Sequence, residues 1–246
     1  MKHFFRRVAA VAAIVLSTGA AQAEIIDFEQ PVSGPSTPFA PLLTHGDVFL
    51  QNSYYFNVFS NDANAQAFDL VGSMIDGNDL TTCSSVLCPT NNASTFYGSL
   101  NDGAVAIGRM DGQSFAVNGF EASFLGASGS VLPPVSGLLR LQGFTSAGAS
   151  LTQTFQLGGL NDSGALGFAS FNTSGSFAST MFETVYAFGF ACNSGGTCNA
   201  FSTNRAQFAM DNISVTAVPE PETTAMFALG LIAMGAAVRR RRQQSV

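Results

Sequence analysis

Between residues 24 and 217 short apolar runs are separated by clusters of Gly, Asn, Asp and Ser, and no convincing helical spacing of apolar positions appears. Alternation with a period of two is plainest in Leu151-Thr152-Gln153-Thr154-Phe155-Gln156-Leu157. It recurs in Phe182, Thr184, Tyr186, Phe188 and Phe190, which a strand would set on one face. The pattern predicts strands at 24–29, 48–59, 67–71, 104–110, 114–125, 138–143, 151–157, 184–191, 206–210 and 213–217. Turn signals separate them at Asp76-Gly77, Asn101-Asp102-Gly103, Asp111-Gly112 and Gly158-Gly159. Such a series of short strands predicts an all-β sandwich or barrel, with 31–41 as a loop rather than a domain linker. The 23 phenylalanines and the absence of tryptophan predict a core filled mainly by Phe between two sheets.

Both ends break this pattern. Lys2, Arg6 and Arg7 precede the apolar run 8–16, and Ala21-Gln22-Ala23 offers a small-x-small cleavage site before Glu24. This is the form of a secretory signal peptide, handled by the Sec machinery and signal peptidase, over residues 1–23. At the other end, residues 223–238 carry no charge. As a helix they would span roughly 24 Å, a little under the roughly 30 Å hydrocarbon core. Arg239, Arg240, Arg241 and Arg242 follow and would hold that end at the cytoplasmic face of the inner membrane. The expected organisation is a signal peptide at 1–23, a single ectodomain at 24–217 and a C-terminal tail at 218–246 with a transmembrane helix.

Setting the two ends aside changes the charge balance. The whole chain has a net charge of −6, but residues 24–217 hold only Arg109, Arg140 and Arg205 against fourteen acidic groups, a net of −11 with no lysine. A surface of that sign repels nucleic acid and attracts cations, so nucleic-acid binding is not expected. All four cysteines, Cys83, Cys88, Cys192 and Cys198, lie in this region. Export to an oxidising compartment favours disulfides, and the spacings favour the local bridges Cys83–Cys88 and Cys192–Cys198 among three pairings. A zinc site built from all four lacks the usual C-x2-C knuckles.

Pro219-Glu220-Pro221, the apolar helix and the four arginines together resemble the PEP-CTERM sorting tail of Gram-negative bacteria. The resemblance implies an exosortase, an intramembrane cysteine transpeptidase, as the partner that removes the tail. It also implies an inner-membrane-anchored intermediate that ends at the cell surface or in the exopolysaccharide of a biofilm matrix. An uncleaved tail anchor is the other reading of the same residues. Residues 114–215 in turn resemble PEP-CTERM ectodomains with a jelly-roll-like β-sandwich. The likeness rests on Phe115 to Phe124, on Leu139-Arg140-Leu141-Gln142-Gly143 with Gly148, and on Gln207-Phe208-Ala209-Met210-Asp211-Asn212-Ile213. The last piece is similar to the QFxxD motif of one subgroup, with Gln207, Phe208 and Asp211 in the motif positions.

In jelly-roll carbohydrate-binding modules, a first strand ending in Phe-Glu and a last strand carrying Asp-Asn often hold a structural calcium. Phe28-Glu29 and Asp211-Asn212 occupy those places, so Glu29 and Asp211 are candidate ligands. The competing reading has Asp211 bond a backbone turn at a bulge, where the alternation changes phase between Met210 and Ile213. Asp76-Gly77-Asn78-Asp79 lacks the spacing of an EF-hand loop and reads as a turn. Hydrolytic chemistry has little support. His45 is the one imidazole left after signal removal, there is no G-x-S-x-G elbow, and nothing selects a pair among Glu29, Glu121 and Glu183. For sugars, the best aromatic cluster is Tyr54-Tyr55-Phe56 beside Asn52 and Asn57, although alternation sends Tyr54 and Tyr55 to opposite faces. The expectation is a non-enzymatic exported protein of the surface or matrix. A calcium-stabilised, glycan-binding module that contacts sugar through Tyr54 and Tyr55 is the alternative.

Overall fold

The computed structural model describes residues 23–30, 41–83, 86–127, 129–217, 230–232 and 234–235. The signal peptide before Ala23, the Pro-Glu-Pro triplet and the arginine cluster lie outside the described residues. So does most of the expected membrane helix, of which residues 230–232 and 234–235 are helical. No helix among the described residues is long and apolar enough to cross a membrane.

The strands in chain order are β1 (Ala23–Ile26), β2 (Leu42–Thr44), β3 (Val48–Gln51), β4 (Tyr54–Ser60), β5 (Leu70–Asp76), β6 (Val86–Leu87), β7 (Thr95–Ser99) and β8 (Gly103–Arg109). There follow β9 (Phe115–Phe124), β10 (Gly126–Ala127), β11 (Val135–Phe144), β12 (Ser150–Gly158), β13 (Ala169–Asn172), β14 (Thr184–Cys192), β15 (Cys198–Asn199) and β16 (Phe208–Ala217). The first sheet has the order β13-β9-β16-β7-β5-β2, with β1 paired to β16; the second has the order β12-β11-β14-β8-β4-β3, with β15 paired to β14. Neighbouring strands run antiparallel, and the sheets pack face to face as a jelly-roll-like β-sandwich. First and last strands lie side by side, from Ala23 opposite Thr216 to Ile26 opposite Ile213.

Alternation decides which side chains fill the space between the sheets. Tyr54, Phe56 and Val58 of β4 point inward, as do Val105 and Ile107 of β8, Leu139 and Leu141 of β11, and Val185 and Ala187 of β14. They meet Met74, Tyr97, Phe115, Val117, Phe208 and Met210 from the first sheet. Aromatic rings join the two layers: Phe49 stacks on Phe56 at 5.0 Å, and Tyr54 meets Phe115 edge to face at 5.2 Å. Each such ring, fully buried, adds on the order of 1.5–3 kcal/mol from burial.

The two outer faces differ. Ile75, Phe96 and Ala209 alternate with the inward Met74, Tyr97 and Met210, so they point out of the first sheet, into a second cluster with Leu125 and Cys88. Both halves of the Cys83–Cys88 disulfide pack in that cluster, whose Cys88 follows β6, the strand paired to β10. The part of the first sheet formed by β5, β7 and the start of β16 is therefore buried on both sides.

Both local disulfides form as the spacing predicts, Cys83–Cys88 and Cys192–Cys198. Several element boundaries differ from the sequence reading. The strand expected at 48–59 is the hairpin β3–β4, turning at Asn52, whose φ of 53° is a left-handed conformation that Asn tolerates. The strands expected at 206–210 and 213–217 are the single β16. Asn212 sits there at φ 49° and lets the inward face pass from Met210 to Ile213 with one extra residue.

Candidate functional site

The outward face of the second sheet is aromatic, and among the described residues no further sheet covers it. Thr184, Tyr186, Phe188 and Phe190 of β14 point out, because Val185 and Ala187 take the core side. The register places Ala104 of β8 between Phe59 of β4 and Phe188 of β14, and Ala106 between Asn57 and Tyr186. Only methyl groups stand on β8 at these places, so rings from either side reach over it. Phe59 and Tyr186 meet edge to face at 5.9 Å, and Phe144 of β11 meets Tyr186 from the other flank at 5.5 Å. The result is a groove of about 360 Å³ walled by Phe59, Phe144, Tyr186, Phe188 and Phe201. Its five rings are all half-buried, neither core nor free.

Polar groups complete the lining: Asn61, Gln142, Thr184 and the Tyr186 hydroxyl, with no charged side chain. None of these four side chains hydrogen-bonds another described residue. The side-chain amides of Asn52, Asn64, Asn78, Asn91 and Asn101, in contrast, donate to backbone carbonyls or a neighbouring carboxylate. Arg140 borders the lining on the same face, paired across strands with Phe188 of the wall, and its guanidinium lies 4.8 Å above the Phe190 ring.

Phe201 forms the lip, and its position is imposed by the loop that carries it. It holds φ 54°, a left-handed conformation that costs a bulky residue about 1–3 kcal/mol, and its ring packs 5.3 Å from Phe188. Two devices fix that loop. The Cys192–Cys198 disulfide closes its start, at the end of β14. The Asp102 carboxylate, 5% exposed, accepts the backbone N–H groups of Thr203, Asn204 and Ala206 at 3.0, 2.8 and 2.6 Å. The loop then passes β14 so closely that a Cβ on Gly189 would lie 2.6 Å from the Ala206 carbonyl oxygen. Sequence reasoning marked Asn101-Asp102-Gly103 only as a turn and did not find Phe59, Phe144 or Phe201. The mixed aromatic and polar stripe on β14, set against the small inward Ala187 and Gly189, was the available signal.

The residues singled out from sequence are distributed differently. Tyr54 is fully buried, its ring against Phe115, and burial pushes its phenol above the ordinary value. It therefore offers no face to a sugar, which corrects its assignment as a glycan contact. Tyr55 points to the opposite side, half-buried, and lies across Gly108, where a Cβ would sit 2.3 Å from its hydroxyl oxygen. It is on the same outer face as the groove but outside its lining.

Glu29 and Asp211 do converge on one segment, but as hydrogen-bond acceptors. Asp211, 0% exposed, receives the Asn92 amide at 2.7 Å, the Ser94 hydroxyl at 2.8 Å and the Asn212 N–H at 2.8 Å. Glu29 receives the Thr95 N–H at 2.7 Å. Calcium needs six to eight oxygen lone pairs turned inward, and donors point at these carboxylates instead. The donor set does not fit a calcium ion, and Asp211 serves the bulge of β16. No group of three or more His, Cys, Asp or Glu able to hold a metal occurs among the described residues. Gln207 donates to the Asn204 carbonyl and Phe208 lies in the core beside Tyr97 at 6.2 Å, so Gln207, Phe208 and Asp211 all hold the closing strand. Glu121 receives Asn212 at 3.0 Å and Ser170 at 3.3 Å, whereas the Glu183 N–H bonds Phe144 in the other sheet. His45 accepts the Ser60 N–H through Nδ1 and ties the turn after β2 to the end of β4.

A second depression, of about 670 Å³, runs along 130–136 and 193–205. Its one aromatic lining residue, Phe124, is 4% exposed and offers no ring face.

No curated protein matches the chain. Among solved structures, the carbohydrate-binding module TmCBM61 in complex with β-1,4-galactotriose aligns over 65% of this chain and 86% of its own, with 7% identity and a TM-score of 0.32. The enzymatically active domain of bacteriophage CBA120 tailspike protein 4 aligns over 76% of this chain and 21% of its own, with 10% identity and a TM-score of 0.30. The PEP-CTERM protein-sorting motif matches residues 217–242, so the chain carries a sorting address that implies export, a membrane-anchored stage and an exosortase as processing partner.

Proposed function

We propose that this chain is an exported, non-enzymatic protein of the surface or extracellular matrix of a Gram-negative bacterium, cut by an exosortase and retained among exopolysaccharide. The observation that carries this reading is the sorting motif, which begins where β16 ends. Two disulfides support an oxidising destination, reached through the Sec machinery and signal peptidase. The engagement of Glu29 and Glu121 in hydrogen bonds to strand and bulge supports a role without hydrolysis. Within the motif-bearing proteins we place the chain nearest the QFxxD subgroup, on Gln207, Phe208 and Asp211.

Intact-mass analysis of the protein from surface material, in cells with and without the exosortase, tests the reading. The expected result is loss of the tail only where the exosortase is present; retention of Arg239 to Val246 in both strains would show a plain anchor. A second reading, a glycan-binding module, is favoured by the aromatic groove on the second sheet.

A further inference from the structure

We propose that the groove walled by Phe59, Phe144, Tyr186, Phe188 and Phe201 is a binding site for a neutral saccharide chain, and that the domain holds to its matrix there. The proposal rests on the reading of the chain as an exported matrix protein and names the ligand class of the uncovered face.

Three independent observations converge on it. First, the two outer faces of the sandwich are treated differently: over β5, β7 and β16 the first is covered by its own small core, while the second leaves a contiguous group of half-buried rings at its surface. A concave group of rings with a few polar groups at its edge is the usual make-up of a ligand site. Second, hydrogen-bonding side chains without partners among the described residues edge the rings: Asn61, Gln142, Thr184 and Tyr186. A flat apolar ring face bordered by hydroxyls is the ligand that uses both, since C–H bonds lie on an aromatic ring while hydroxyls reach amides. Third, Phe201 is kept at the lip in a strained left-handed conformation by the Asp102 clamp and the Cys192–Cys198 bridge. Strain of this sort persists where the surroundings impose it and clusters at ligand sites.

Charge selects the class of saccharide. The groove lining holds no ionised group, and the domain around it carries −11, so an anionic polysaccharide is repelled while a neutral one is not. Arg140, the cross-strand neighbour of the wall residue Phe188, turns its guanidinium over Phe190, which is not part of the lining.

The test uses full-length protein in a sugar-free detergent such as lauryldimethylamine oxide, because alkyl glycosides would compete. Calorimetric titrations with cellohexaose, maltohexaose and mannohexaose, and with polygalacturonate as the anionic probe, should show binding of at least one neutral hexasaccharide. Tyr186→Ala and Phe201→Ala should each weaken that binding by at least about tenfold, and Tyr55→Ala on the same face by less than about twofold. Tyr186→Phe, which keeps the ring, and Gln142→Ala guard against loss of fold and should weaken binding with unchanged melting temperatures. The proposal is overturned if no neutral probe binds, if polygalacturonate alone binds, or if Tyr186→Ala and Phe201→Ala bind like the unaltered protein. Tail removal is read separately. Failure of sugar binding with normal exosortase processing overturns this site alone, and a retained tail with intact sugar binding overturns the sorting reading alone.

Discussion

At Asp102 a left-handed residue in a tight turn, with φ 57°, aims its carboxylate back at a loop a hundred positions away and receives three backbone N–H groups. Buried donors without an acceptor cost about 1–3 kcal/mol each, partly relieved by water, so Asp102→Ala should lower stability by on the order of 3 kcal/mol. Urea denaturation checks this, and a loss under about 1 kcal/mol would mean the loop is held chiefly by its disulfide. Asp211 makes a different demand. Burial, opposed by the Asn92 and Ser94 hydrogen bonds, leaves its carboxyl above the ordinary value, with the nearby Glu121 charge adding to the rise. A raised value in the fold means the folded chain binds the proton more tightly than the unfolded one. Its contribution is therefore full below the ordinary carboxylate value near 4 and is lost as pH rises through the folded one. Asp211→Asn removes that gain, so its melting temperature should fall more steeply between about pH 6 and pH 4 than that of the unaltered protein. Parallel melting curves across that range would exclude Asp211 as the titrating group.

Among the elements, the two disulfides stabilise to a similar degree but at different places. Each closes a loop of about six residues, for which chain-entropy arguments give about 2 kcal/mol. Replacing Cys192 and Cys198 with alanine should cost about that much and also loosen the Phe201 loop. Replacing Cys83 and Cys88 should cost a similar amount under the first sheet and leave the second sheet's outer face as it is. Denaturant midpoints together with hydrogen exchange at 199–206 distinguish the two outcomes. The strand content was legible because period-two alternation survives in β12 and β14, and local cysteine spacing favoured the two bridges that form. What alternation cannot tell is which of its two faces meets the core. On β14 the larger, more aromatic set lies outward, because Val185 and Ala187 already fit against the opposing sheet. The hairpin at Asn52 was hidden because 48–59 is apolar on both sides of the turn. Tyr54 was drawn into a sugar site by its neighbours in sequence, when the fold gives it Phe115 as a partner.

On the scale of the whole molecule, the sandwich needs no ion to close, since β1 and β16 pair directly and the carboxylates at their ends are met by donors. Adding EDTA should leave the melting temperature unchanged within about 1 °C; a larger drop would reveal a bound cation that stabilises the native state. The charge distribution has a separate consequence. Residues 24–217 hold three arginines and no lysine. Arg109 is paired with Asp111 and half-buried, Arg140 is half-buried in mid-strand over Phe190, and Arg205 alone is exposed. The peptide bond after Arg205 contributes its N–H to Asp102 at 2.6 Å. The clamp thus shields the one readily reached trypsin bond of the folded domain. A domain built this way resists trypsin-like proteases with a single carboxylate as guard, and the rate of cutting after Arg205 becomes a direct reading of how often that guard lets go.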